Sequence, residues 1–171
     1  MQPQLSFFAS VAFGLIAWGL VAARYIWPQL RDKRRVDALR PVLILHSFRF
    51  LGLSFLIPGV VSPDLPPAFA QPTAYGDIIA ALLALLTLLL LPRTPGVVLA
   101  WLFNVWGTAD LLNAFYQGNQ AGLFAGQLGA AYFIPTFFVP LLLITHGLAF
   151  RALLQPQRES VMRESLQPAS T

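Results

Sequence analysis

The chain has 171 residues, 57% of them hydrophobic and only 11% charged, with 11 Lys and Arg against 7 Asp and Glu and a formal net charge of +4. A soluble domain carries about 25% charged residues, and a single core of this size cannot hide so much apolar surface, so the composition excludes an ordinary water-soluble fold. The absence of cysteine excludes disulfides, thiolate metal sites, cysteine nucleophiles and iron–sulfur ligation.

The first apolar run is Leu5 to Ala23, long enough to cross a hydrocarbon core of about 20 helical residues. The leader before it is uncharged, and the positive charges follow it: Arg24, Arg31, Lys33, Arg34, Arg35 and Arg40. A cleaved signal peptide has the opposite order, so the run reads as a retained first helix. The second span is expected over about 41–60, with Pro41 at the first helical position, where a missing N–H costs nothing, and Pro58-Gly59 at its end. Ser62-Pro63-Asp64-Leu65-Pro66-Pro67 reads as a loop. The third span is expected over 74–91; its fully apolar part is short, which leaves a re-entrant segment as the alternative. After the turn Pro92-Arg93-Thr94-Pro95-Gly96, a fourth span is expected over 97–116, then a polar loop at Gln117-Gly118-Asn119-Gln120. The fifth is expected over 127–154, kinked by Pro135 and Pro140. A polar, disordered cytoplasmic tail is expected over 155–171.

Ten of the eleven Lys and Arg residues fall in the first connection, the third connection and the C-terminal region, and the eleventh, Arg49, lies inside a span. Five spans place those ten on one side, whereas four spans would split them. The positive-inside rule therefore predicts an all-α integral membrane protein, a bundle of five transmembrane helices with the N-terminus outside and the C-terminus in the cytoplasm. The excess of Arg over Lys points to a GC-rich bacterium, hence to a multi-pass protein of the bacterial cytoplasmic membrane. Topology accounts for the basic balance, so no nucleic acid partner is expected. The partners expected are the lipid bilayer, anionic headgroups at the basic first connection, and further copies or other chains in an oligomer. Tyr25, Trp27 and Trp101 sit at predicted interfaces.

Helices in lipid associate through small residues and polar contacts. Spacing of four gives three small stripes: Ser6, Ser10 and Gly14; Gly76, Ala80 and Ala84; and Gly122, Gly126 and Ala130 at the start of the fifth span.

Ionisable groups inside a span are functional suspects. At about 1.5 Å per residue, Arg49, Asn104 and His146 each lie about 12 Å from the cytoplasmic ends of their helices. His46, three residues before Arg49, shares its face. His46, Arg49, Asn104 and His146 thus form a candidate buried cluster in the inner leaflet. Asp77 and a stripe of Asp110, Asn113 and Gln117 form a second, outer group, with Asp110 about 9 Å beyond Arg49 along the helix direction. The segments His46-Ser-Phe-Arg49-Phe-Leu-Gly52 and Asn104-Val-Trp-Gly-Thr-Ala-Asp110 concentrate polar, aromatic and glycine residues. The Gly-Thr-Ala-Asp run is no nucleotide loop, because it lies within a predicted helix.

Three chemistries follow. The reading preferred on residue content is a binding or transport-associated membrane component, with Arg49, Asp77 and Asp110 on a polar path and no resident cofactor. The second is a redox protein with b-type haem on His46 and His146, the only histidines, at both axial positions. The third is a lipid-modifying enzyme with a histidine base and Asp110 as acid. No hydrolase, metalloprotease or phosphate-loop pattern is present, so an enzyme is disfavoured, and no dedicated metal site is expected because its ligands would be too few.

Overall fold

The computed structural model of the protein describes residues 3–91, 93–122 and 126–156. Of the expected tail, residues 157–171 lie outside that set. The described residues are helical throughout their regular parts, without a strand; the one bridge joins Pro58 to Val61 in a loop. Five helices are long and apolar enough to cross a membrane.

Helix α1 runs from Pro3 to Val21, through a π-helical turn at Ala22–Ile26, to Trp27–Leu30. Helix α2 is α-helical over Arg35–Ser47 and 3-10 over Phe48–Leu56. Helix α3 spans Pro67–Leu90 and α4 spans Thr94–Gln120. Helix α5 begins as a 3-10 turn at Gly129–Tyr132, passes a π turn at Ile134–Phe138 and continues as Val139–Leu154. Both π turns have the same cause. Pro28 and Pro140 lack an N–H and their rings press on the carbonyl four residues back, at Arg24 and Thr136, which lie inside the two wide turns. In α5, Pro135 lies within the second π turn and Pro140 just beyond it.

Several boundaries differ from those expected. Helix α1 does not stop at residue 23, because Arg24 lies on its exposed side and nothing there obliges the helix to end. Helix α2 starts at Arg35, so Pro41 is an interior residue and not its first; it ends at Leu56, short of residue 60. Helix α3 begins at Pro67, since prolines at the first positions of a helix lose no bond, and at 24 residues it is long enough to cross a membrane rather than short. The polar segment 117–120, expected as a loop, is the last turn of α4. The third small stripe does not exist as a helix face: Gly122 has φ +67 in a turn, Gly126 is in a bend and Ala130 is exposed.

The helices alternate in direction, and two apolar clusters mark the ends of the bundle. One gathers Leu30, Leu39, Leu91, Ala100 and Leu153, from the end of α1, the start of α2, the end of α3, the start of α4 and the end of α5. All described Lys and Arg residues except Arg49 belong to this half, the basic end. There Arg151 stacks on Trp27 at 4.0 Å and Arg35 donates to the Gln155 carbonyl at 2.9 Å. At the far end, Phe7, Phe55, Phe69, Leu128 and Ala131 form the second cluster. The loops join there too, with Ser62 N–H donating to Gln127 O at 3.0 Å and Ala130 N–H to Val60 O at 2.8 Å.

Helix α3 packs between α2 and α4, whereas α1 rests on α5. Its seat is Gly14, where a Cβ would come 2.6 Å from the carbonyl of Thr136, four residues before Pro140. Trp18 adds a bond to Phe137 O at 3.1 Å and Ser10 meets the Tyr132 hydroxyl at 3.0 Å. Gly14→Ala is therefore expected to cost about 1–3 kcal/mol by overpacking against backbone, read as a lower unfolding temperature in detergent. An unchanged temperature would contradict this close approach.

Candidate functional site

Between the two apolar ends lies a layer of buried polar side chains: His46, Arg49, Asp77, Asn104, Thr145 and His146, all under 9% exposed, with Asp110 at its rim. Its placement starts with the 3-10 stretch of α2. With three residues per turn, side chains at i and i+3 eclipse, so Arg49, Gly52 and Phe55 line one edge. Those three are the buried residues of the stretch. A continuous α-helix would have rotated each about 60° from the last.

The Arg49 guanidinium is the hub. Its Nε donates to Asp77 Oδ1 at 2.7 Å, Nη2 to Asp110 Oδ2 at 2.6 Å, and Nη1 to the Gly107 carbonyl at 3.1 Å, with His146 Nε2 at 3.5 Å from Nη1. One side chain on α2 thus ties α3, α4 and α5. Three glycines make room. A Cβ on Gly52 would strike the Asp77 carboxylate, one on Gly76 the Asp110 carboxylate, and one on Gly107 the rings and guanidinium of His146 and Arg49. Each charged group is seated on bare backbone of a neighbouring helix, which is how groups this large fit into one layer.

The histidines belong to the same network. Thr145 spends its hydroxyl hydrogen on the Leu141 and Leu142 carbonyls, at 2.9 and 3.0 Å, so towards His46 Nε2 at 2.9 Å it accepts. His46 therefore carries its proton on Nε2, and its Nδ1 has no partner among the described residues. Asn104 Nδ2 donates to the His146 carbonyl at 3.3 Å, which turns Oδ1 towards His146 Nδ1 at 2.6 Å. His146 thus carries Nδ1–H and presents the bare Nε2 to Arg49. The imidazole rings lie 4.2 Å apart, centroid to centroid, and Phe103 packs on both.

Two members of the outer group, Asp77 and Asp110, therefore join the inner cluster. The 9 Å offset estimated along the helices is bridged because Arg49 extends along α2 towards the far end and Gly76 lets Asp110 approach. Asn113 and Gln117 are not part of it: Asn113 is exposed and Gln117 is half-buried near the far end. Sequence reasoning missed Gly52, Gly107 and Thr145. The available signal was glycine three residues after Arg49 and after Asn104, in the two dense segments.

This arrangement does not suit a bis-His haem. The rings pack directly on each other, and a porphyrin between them would require them to separate and to give up Thr145, Asn104 and Arg49. Nor does any group of three or more His, Asp or Glu gather in a metal-holding arrangement among the described residues. What the layer does combine is one guanidinium with two carboxyl groups, one oxygen of each bonded to Arg49. Asn104→Leu is expected to leave the His146 Nδ1–H without an acceptor and to cost about 1–3 kcal/mol. Thermal unfolding of the variant checks this, and a loss no larger than that of an exposed substitution would count against the bond.

The chain belongs to the family described as a domain of unknown function (DUF8737), whose model matches residues 6–154. No curated protein and no solved structure matches it. The family match runs from within α1 to the end of α5 and includes every residue of the polar layer.

Proposed function

We propose that the protein is a multi-pass component of the bacterial cytoplasmic membrane, N-terminus outside and C-terminus in the cytoplasm, with a binding or transport-associated role centred on the Arg49–Asp77–Asp110 layer. Two features support its place in a membrane. Each helix leaves large apolar side chains uncovered, such as Phe13 at 73%, Leu89 at 72% and Val98 at 66% exposure, far more than a soluble surface tolerates. The described basic residues outside the layer gather at one end, as the positive-inside rule requires of the cytoplasmic side. The chain has no cysteine, so single cysteines test the orientation against no background. Ser62→Cys is expected to react with an impermeant maleimide added outside intact cells, and Asp32→Cys only after lysis. The reverse pattern overturns the topology.

The observation that carries the role is that two carboxyl groups of the layer share one guanidinium. Ionisable side chains at the depth of a bilayer centre are costly and mark ion pathways and relays, and a purely structural pair needs only one carboxylate per guanidinium. Here Asp110 stands at the more open edge as the second. In proteoliposomes under an imposed potential, the wild-type protein is expected to conduct protons above the level of empty vesicles, and Asp110→Asn to abolish the excess. Equal flux in wild-type, variant and empty vesicles would overturn the layer as a transport element.

A further inference from the structure

In the middle of α4, Asn104, Thr108 and Asp110 are bonded within the chain, to His146 O, Asn104 O and Arg49. Asn113 differs. It is exposed, and its amide makes no hydrogen bond among the described residues. Gly107 is the midpoint of Thr94–Gln120, so Asn113, six residues further, lies about 9 Å from the helix centre. A hydrocarbon core of about 30 Å extends about 15 Å to either side of its middle. In a membrane centred on the helix, the Asn113 amide therefore faces lipid, where no water can satisfy it and a bare polar group is costly. Its neighbours on that face form a pattern. Leu102, Trp106, Ala109, Asn113, Tyr116 and Gln120 follow one another at intervals of four, three, four, three and four residues, and all six are exposed. That is the 3.5-residue spacing of a seam along which two helices pack knobs into holes.

We propose that this seam is the contact between two copies of the chain, packed α4 against α4 with their Asn113 amides bonded to each other; the inference rests on the membrane placement proposed above and not on proton movement. Copies inserted with one orientation are related by a two-fold axis along the membrane normal. The two α4 helices then run parallel, and each seam residue meets its own counterpart. An amide carries both donor and acceptor, so a second Asn113 is its complement at the same depth. A single asparagine in such a seam also fixes the register and the number of chains. Ala109, one turn away, lets the backbones approach, as small residues do between helices in lipid. Asp110 borders the seam, one turn after Trp106, so the partner helix lies beside the rim of the polar layer.

The test uses single cysteines in the full chain, which has none of its own. Under mild oxidation in native membranes, Ala109→Cys and Tyr116→Cys are each expected to give a disulfide-linked dimer. Phe13→Cys on α1 and Leu89→Cys on α3, at exposed positions off the seam, are expected to stay monomeric. Asn113→Leu is expected to raise the dissociation constant about tenfold. That is read as energy transfer between dyes on Asp64→Cys, in vesicles of increasing lipid-to-protein ratio. Its unfolding temperature is expected to stay unchanged, because the amide has no partner within the described chain. Dimer bands as strong at Phe13 or Leu89 as at Ala109, a crosslink to a protein of another mass in place of a second copy, no crosslink at all, or an Asn113→Leu variant that associates like wild type would each overturn the proposal. Sedimentation with the membrane fraction is read separately. A membrane-bound protein without a crosslink sinks the dimer alone, whereas a protein outside that fraction sinks the membrane placement with it.

Discussion

Arg49→Met is expected to lower the folded yield and unfolding temperature of the protein more than any other single substitution. Removing the guanidinium leaves Asp77 and Asp110 without their shared partner, and deletes a side chain that bonds α2 to both α3 and α4 while approaching α5. Breaking a buried ion pair from one side costs about 3–5 kcal/mol, a large part of the roughly 5–15 kcal/mol that stabilises a typical native protein. Arg49→Lys is expected to rescue little, because a single ammonium on a flexible stem cannot reproduce a planar fork reaching three directions. Asp64→Asn, in an exposed loop, serves as the control and should stay within about 0.5 kcal/mol of wild type. The triple variant Arg49→Met, Asp77→Asn, Asp110→Asn removes all three charges together and is expected to recover most of the lost stability. A folded triple variant without proton flux would separate the role of the layer from its structural value. Should Arg49→Met prove as stable as Asp64→Asn, the hub described here is wrong.

The second large effect is a contrast between two glycines. In an ordinary exposed helix position, Gly→Ala gains about 1 kcal/mol. Gly147 is exposed in α5 with nothing within 4 Å of an added Cβ, and Gly147→Ala is expected to stabilise by about that amount. At Gly107 the same methyl would lie 2.6 Å from the His146 ring and 2.8 Å from Arg49 Nη1. Neither partner is free to retreat: His146 is held by Asn104, and Arg49 by two carboxylates. Overpacking of about 1–3 kcal/mol then outweighs the helix gain, and Gly107→Ala is expected to destabilise, with loss of the Arg49 contact to the Gly107 carbonyl. The two variants differ in sign, so thermal unfolding of the pair decides the matter even if absolute stabilities in detergent shift. A stabilised Gly107→Ala would mean that the layer is looser than its distances state.

Helix number and the identity of the interior polar residues were legible in the chain because both depend on local composition. Apolar runs broken by charge or proline mark the spans, and an ionisable residue within such a run stands out whatever its neighbours. Helix ends were less legible. Pro67 and Pro95 begin helices, and the polar residues from Gln117 to Gln120 continue one, since no local rule forces a helix to stop where it leaves an apolar stretch.

The sequence by itself determined five long apolar helices, the segregation of basic residues into alternate connections, and a short set of polar residues within the spans. It did so because hydrophobicity and charge are properties of residues taken singly or in runs. Only the tertiary structure decided that Asp77 and Asp110 share one layer with His46, Arg49, Asn104 and His146, and that Asn113 and Gln117 stand outside it. Those facts depend on the local switch of α2 to three residues per turn, and on glycines that let carboxylates, a guanidinium and an imidazole settle against backbone. Close approach between helices is a property of pairs of surfaces, and no single segment contains it.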